Sequence, residues 1–337
     1  MQVRLVSEIS EFEALAGEWD ALLERAVVPS LFLSWAWQRI WWQYLGNGQL
    51  MLITVRDEAG ELMGIAPLFL QAADGLRELS LVGCVDVSDY LDFIVARDYV
   101  EAVYDAVWNF LSGAQAPAWD EINLCNLPHT SPTPAILGRL AAAAGYSSST
   151  SVGDVCPVIT LPATFEAYLA GLDKKQRHEI RRKARRIQEA AQVRWYVVEG
   201  GETLPADIES FIDLHQRSTV EKEGFWDEAM KAFFRAMAAS MAARGWLKLY
   251  FIELSGVRAA ALLCFDYRDE ILVYNSGYDP ANFAQLSPGN VLVAYCIEHA
   301  IQLGRSRFDF LRGDEEYKFR FGAQPEPVHH LRIRRPV

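Results

Sequence analysis

The chain has 337 residues, of which 51% are hydrophobic; this suits about two cored domains and excludes a disordered or collagen-like chain. Its 32 basic and 44 acidic residues give a net charge of -12, which excludes binding to polyanions through overall charge. No apolar run reaches the length of a membrane span, and the N-terminus leads into acidic residues without a signal-peptide pattern. Cys84, Cys125, Cys156, Cys264 and Cys296 are odd in number, widely spaced and lack a Cys-x-x-Cys pair. They are expected as reduced thiols of a cytoplasmic protein, with no disulfide framework and no metal site.

In chain order, Gln2–Val6 reads as a strand, and Ser10 with Glu13 as a capping box opening a helix to about Arg25. Ser34–Leu45 is a second helix, rich in tryptophan; packing accounts for Trp35, Trp37, Trp41 and Trp42 better than stacking on a flat ligand. Strands over Leu50–Val55 and Glu61–Leu70 form a hairpin, followed by short strands at Glu78–Leu81 and Leu91–Val95. Helices are expected at Asp98–Leu111 and Thr133–Ala144, with a strand at Glu121–Cys125 between them. The Ser-rich patch Ser147–Ser151 marks a boundary between domains 1–150 and 151–337. The second half repeats the pattern. A strand at Val193–Val198 precedes helices at Asp207–Glu221 and Glu228–Arg244. Three strands follow, over Trp246–Leu254, Val257–Tyr267 and Glu270–Ser276, and Val328–Arg334 closes the chain as a strand.

Two stretches carry chemistry. Lys174–Arg186, within a helix spanning 174–190, holds eight cations against Glu179, a net +7. Asp173 and Gln176 make a capping pair, and Ile180, Ala184, Ile187 and Ala191 form an apolar stripe. Arg177, Arg181 and Arg185 recur every fourth residue on a face that is either solvated or a dock for phosphates. The second stretch is Gln285, Leu286, Ser287, Pro288, Gly289 and Asn290. Ser287 suits an N-cap and Pro288 the first helical position, so free N–H groups at the start of this helix favour an anion such as a pyrophosphate. A polar cluster follows the next strand at Asp309, Arg312, Asp314, Tyr317 and Lys318. Its plain alternative is a solvated loop with a surface ion pair.

The second half resembles the core of the GNAT acyltransferases. The whole chain is similar to the duplicated-GNAT group that includes bacterial cellulose-biosynthesis-type (CelD-like) acetyltransferases and, more distantly, the Fem-type peptidyltransferases. The resemblance rests on Trp35–Trp42, Lys174–Arg186, Leu214-His215 with Gly224, and the run from Ser287-Pro288-Gly289 through Phe308–Lys318. Of the family's glycine-containing loop the chain keeps Gln285 and Gly289. The resemblance implies an α/β (α+β) fold of two tandem GNAT-like domains, each a mixed, mostly antiparallel sheet flanked by helices. It also implies N-acyl transfer from acetyl-CoA or another acyl-CoA to an amine of a small molecule, an amino sugar or an exopolysaccharide precursor.

Under that reading Gln285–Asn290 hold the pyrophosphate, and Asp309, Asp314, Tyr317 and Lys318 form the catalytic cluster. Arg177, Arg181, Arg185, His215 and Glu221 face the acceptor, no metal is needed, and any membrane contact is peripheral. His215 also lies beside the apolar face of Ile208, Phe211 and Ile212, where a satisfied core histidine is the plain alternative. The rival readings are a Fem-like transferase using aminoacyl-tRNA, the one case in which a nucleic acid is a partner, and a non-catalytic binding module in polysaccharide assembly.

Overall fold

The computed structural model describes residues 1–84, 87–219, 222 and 224–336. The chain forms two compact units, Met1–Val155 with Glu326–Val337, and Cys156–Pro325. Each is a mixed sheet flanked by helices.

In the first unit, β1 (Gln2–Val6), β2 (Gln49–Arg56), β3 (Leu62–Ala73) and β4 (Leu76–Leu81) run antiparallel in that order. Strand β5 (Ile94–Val95) pairs with β3, and β6 (Glu121–Pro128) lies parallel to β4, from Glu78↔Glu121 to Ser80↔Asn123. Helices α1 (Ile9–Ala14), α2 (Ala16–Glu24), α3 (Trp35–Tyr44), α4 (Val100–Ser112) and α5 (Thr133–Ala143) complete it. The expected Ser10 capping box does not form, because the first helix is already under way at Ile9 and its N-cap, Glu8, makes no side-chain bond. In α3 the tryptophans pack: Trp37 and Trp41 are buried, against Phe32 and Phe69.

The Ser-rich patch is the exposed start of a long strand, β7 (Ser147–Thr160), whose backbone is in a sheet while its small polar side chains face water, and the division between the two units falls just after it, at Val155 and Cys156. Two further expectations fail in this unit. The last strand, assigned by sequence to the second domain, pairs instead with β6, for example Leu331↔Leu124. Finally, Cys84 and Cys125 are joined by a disulfide with Cα atoms 6.1 Å apart. A residue just after β4 and one in β6, 41 positions apart in the chain, show no spacing signature. Cys156, Cys264 and Cys296 are buried.

Beyond Ser80↔Asn123, β6 runs on to Pro128 without β4, and the described residues of the segment after β4 occupy that edge. Leu91 N–H donates to Asn126 O, Asn126 Nδ2 to Ser88 O, Trp37 Nε1 to Ser88 Oγ and Gln38 Nε2 to Val82 O.

In the second unit, β8 (Val193–Val198), β9 (Leu247–Leu254), β10 (Val257–Tyr267) and β11 (Glu270–Tyr278) are antiparallel. Strand β12 (Arg307–Asp309) is parallel to β11 and antiparallel to the last residues of β7. Strand β10 is buried from Ala259 to Tyr267, as expected of a strand covered on both faces. Ala260, Leu262 and Cys264 join a core cluster with Val291, Cys296 and Ile297 of helix α10 (Pro288–Gln302) and Ile187 of helix α7 (Lys174–Ala190). On the other face Phe265 meets Tyr274, which meets Phe234 of helix α9 (Glu228–Ala243); helix α8 (Leu204–Ser218) lies along β11. Helices α6 (Phe165–Gly171) and α11 (Glu316–Arg320) complete the unit.

Candidate active site

The register of β11 builds the site. Val273 pairs with Cys264 and Asn275 with Leu263, so Tyr274 is an extra residue, a β-bulge. A bulge bends its strand and sharpens the twist. Pairing with β12 stops just before it, at Leu272↔Asp309, while β11 continues to Tyr278. Because β12 ends there, the rest of this edge of β11, the wedge, runs on without β12. Asp279 N–H donates to the Ala259 carbonyl of β10, and antiparallel alternation then turns the backbone groups of Ser276 and Tyr278 towards the open side. Their partners agree: Tyr278 N–H donates to Ser218 Oγ at 2.8 Å, and Lys222 Nζ donates to the Ser276 carbonyl at 2.6 Å. Gly277 lets α8 lie against β11 at backbone distance, since a Cβ there would sit 2.4 Å from His215 N.

The wedge leads to the start of α10. Ser287 precedes the helix with φ 53° and ψ 50°, and its side chain does not cap, contrary to expectation. The left-handed backbone turns the hydroxyl away from the first turn, and it accepts instead from Arg186 Nη2 at 3.2 Å. A cation thus sits where the helix dipole is already positive, an arrangement that an incoming anion would relieve. Gly289 has open space above it. Asn290 lines a cavity of about 570 Å³ with Lys175, Gln176, Glu179, Lys183 and Arg320. Burial, aided by the charges of Arg182, Arg186 and Arg320, holds Lys183 below the ordinary lysine value, although Glu179 opposes the shift. Gln285 faces its own loop, its amide 3.5 Å from Asn282 O, and Leu286 ends a short 3-10 turn.

The catalytic cluster expected after β12 is only partly assembled. Asp309 is buried and accepts from Leu311 N–H at 2.7 Å, fixing the turn in which Leu311 takes φ 56°. Lys318 is 3% exposed, and its ammonium donates to the carbonyls of Leu311, Arg312 and Gly313 at 3.3, 2.7 and 3.1 Å. It also pairs with Glu315 Oε2 at 2.8 Å. Expected as a member of the catalytic cluster, it is here a clamp on the loop after β12. Tyr317 packs edge-on against Phe310, and burial raises its phenol above the usual tyrosine value, keeping it protonated. Asp314 is exposed at the loop.

The residues expected to face the acceptor are scattered. Arg177 Nη1 reaches the Leu169, Ala170 and Leu172 carbonyls and caps the end of α6, so it is no anion dock. Arg181 and Arg185 are exposed beside Glu166 and Glu189. His215 is buried; Trp226 Nε1 donates to its Nδ1 at 3.0 Å, so Nε2 carries the proton and donates to Asn275 Oδ1 at 2.8 Å. Burial and the charge of Lys222 push it down to about 3, against the Asn275 bond, and it is a neutral structural group with no lone pair to spare. Glu221 lies outside the described residues. Sequence reasoning passed over Lys183, Arg186 and Lys222. Lys183 is three residues from Ile180 and four from Ile187, which places it beside the apolar stripe rather than on the outward face.

The wedge beside a bulged strand, opening on a helix N-terminus, can hold an extended amide chain ending in phosphates. Residues 174–319 match the family model of an acetyltransferase (GNAT) domain. By this match the second unit resembles a GNAT acyltransferase domain. Solved structures agree in fold across nearly the whole chain. FemX is 13% identical, with a TM-score of 0.66 over 98% of this chain and 97% of its own. The Bacillus licheniformis structure named L-PGS is 11% identical, with a TM-score of 0.58 over 95% and 93%. A tandem GNAT protein from the clavulanic acid biosynthesis pathway is 13% identical, with a TM-score of 0.50 over 100% of both chains. At such identities the likeness concerns fold, and it is a tandem GNAT fold. No curated protein matches the sequence. Among the described residues no helix is long and apolar enough to cross a membrane.

Proposed function

We propose that the second unit transfers an acyl group from acyl-coenzyme A to the amine of a small molecule, amino sugar or exopolysaccharide precursor, as a CelD-like member of the group would. The observation that supports this most is the wedge between β11 and β12, which opens at Tyr274 and leads to the first turn of α10. The donor supplies a thioester-activated carbonyl. The open side of β11 at Ser276 offers backbone pairing to its amide arm. The uncapped turn at Ser287–Asn290, Arg186 and Lys183 face its phosphates. Tyr317, kept protonated by burial, is the proton donor for the departing thiolate, and Asp314, exposed at the mouth, takes the amine's proton through water. Asp309 and Lys318 set the loop between them. A coenzyme A donor places the reaction in the cytoplasm; the Cys84–Cys125 bond removes the separate argument from cysteine usage.

Titration calorimetry tests this reading. The protein should bind coenzyme A, and Arg186→Gln should weaken binding about tenfold, the value of one charge-assisted phosphate contact. Absence of coenzyme A binding overturns the reading. In that case the exposed cations of α7 favour the Fem-like alternative, to be sought by tRNA binding over a salt series.

A further inference from the structure

Strand β8 ends its sheet, and its residues, Val193, Arg194, Trp195, Tyr196, Val197 and Val198, are mostly strong β-formers. It pairs with β9 in unbroken register, from Val193↔Leu254 to Val198↔Leu249. Ser255 N–H donates to the Gln192 carbonyl at 2.8 Å, so these two residues face each other as a hydrogen-bonded pair. Antiparallel alternation then commits the backbones of Arg194, Tyr196 and Val198 to β9 as well. The N–H and C=O groups of Val193, Trp195 and Val197 therefore point away from β9, off the edge of the sheet. Among the described residues no strand takes them up.

Sheet edges are commonly closed by a proline, a bulge or a row of charges. This one has no proline and no bulge. Its one charge, Arg194, leans over Tyr196 with the guanidinium 4.8 Å from the ring centroid. Beside the edge lies a groove of about 520 Å³ whose lining includes Gln188, Gln192, Trp195, Tyr295 and Glu298. Trp195 and Tyr295 stack within that lining, their centroids 5.9 Å apart.

We propose that this edge receives β8 of a second copy of the chain, antiparallel, so that two second units share one continuous sheet. A two-fold axis at Trp195 is the register that uses all three open residues. Val193 then meets Val197 of the second copy and Trp195 meets its counterpart, each pair exchanging N–H···O bonds. Val193, Trp195 and Val197 are the side chains of β8 that pack against the core, so this face sets apolar against apolar. On the other face Arg194 meets Tyr196, a cation against a ring. The register centred on Arg194 would set two arginines directly opposite, which is destabilising, and the one centred on Tyr196 leaves Val193 unpaired within the strand. An unrelated extended peptide satisfies the backbone alone, whereas a second β8 matches side chains on both faces. Six residues a side fall short of the roughly 800 Å² per partner of a standard interface, so the dissociation constant is on the order of 10 μM. Two chains of net charge -12 repel each other, and added salt, by screening them, should tighten the dimer.

The test uses the full chain. Sedimentation velocity between about 1 and 500 μM should show a monomer passing into a dimer. Residue-resolved amide hydrogen exchange over that range should show Val193, Trp195 and Val197 gaining about tenfold protection or more, while Arg194, Tyr196 and Val198 stay protected throughout. Val197→Pro removes an N–H that β9 does not use, and an edge strand tolerates proline on its open side. This variant should melt near the wild type and remain monomeric, as should Val193→Pro at the first residue of the strand. If Val197→Pro unfolds, Val193→Pro and the wild-type exchange pattern decide the matter. A chain that stays monomeric over the whole range, protection that does not alternate along β8, or a dimer that survives either proline overturns the inference.

Discussion

Replacing Lys318 with methionine should unsettle the second unit as well as its chemistry. Methionine keeps most of the length and volume of the lysine stem and removes the ammonium. Two good bonds are lost, to the carbonyls of Arg312 at 2.7 Å and Gly313 at 3.1 Å, together with a weaker one to Leu311 at 3.3 Å. Hydrogen bonds to a charged group are each worth about 1.5–3 kcal/mol, so the two good ones come to about 3–6 kcal/mol. Burying the ammonium has its own cost, which methionine avoids and which offsets a few kcal/mol of that loss. The Glu315 pair adds little, because that carboxylate is 57% exposed. A net loss of about 3 kcal/mol is expected, or roughly 6–12 °C in Tm for a unit of this size. Differential scanning calorimetry on the wild type, Lys318→Met and Glu315→Gln checks it; Glu315→Gln should cost less than about 1 kcal/mol. A Lys318→Met melt within about 2 °C of the wild type would show that the ammonium does not hold the loop, and would return Lys318 to the role of a free donor.

Other expectations follow from the same geometry. Gly277→Ala places a Cβ against the backbone of α8, 2.4 Å from His215 N, and should cost about 3 kcal/mol in urea unfolding, since neither strand nor helix can yield as a side chain would; a loss below about 1 kcal/mol refutes the close contact. His215 should make the second unit acid-sensitive. Its folded value of about 3 lies below the ordinary 6.5, so the unfolded chain binds the extra proton, and stability falls as pH drops from 6.5 towards 3. The slope is up to about 1.4 kcal/mol per pH unit, and His215→Leu should lack this component of the slope; parallel stability curves between pH 6.5 and 4.5 would contradict it.

The sequence showed elements better than destinations. Asp173 caps α7 through Gln176 N–H at 2.8 Å, and the stripe through Ile187 is the face that packs, because both signals are local. Where the arginines of that helix end is not local: Arg177 turns back onto α6, and Arg186 reaches Ser287, a hundred residues along the chain. The periodicity that aligned Arg177, Arg181 and Arg185 could not separate them. The wedge was invisible for a related reason. It depends on one unpaired residue, Tyr274, in a strand whose composition is ordinary, and a bulge changes register without changing hydrophobic pattern. The return of the last strand to β6 and the Cys84–Cys125 link likewise depend on pairings between distant segments.

The strand edge in the first unit that corresponds to the wedge is filled by its own chain, through Leu91, Ser88 and the bond between Cys84 and Cys125. An intramolecular strap competes at an effective concentration that a free donor rarely matches, and a covalent tie strengthens it further. The two halves are therefore under different demands. Under the acyl-transfer proposal, residues along β11 must stay open enough to admit the donor. Their counterparts along β6 are free to fill space, so volume-adding substitutions there test packing alone. On the same proposal, the tandem fold keeps one strand edge open for a ligand and borders the other with its own chain.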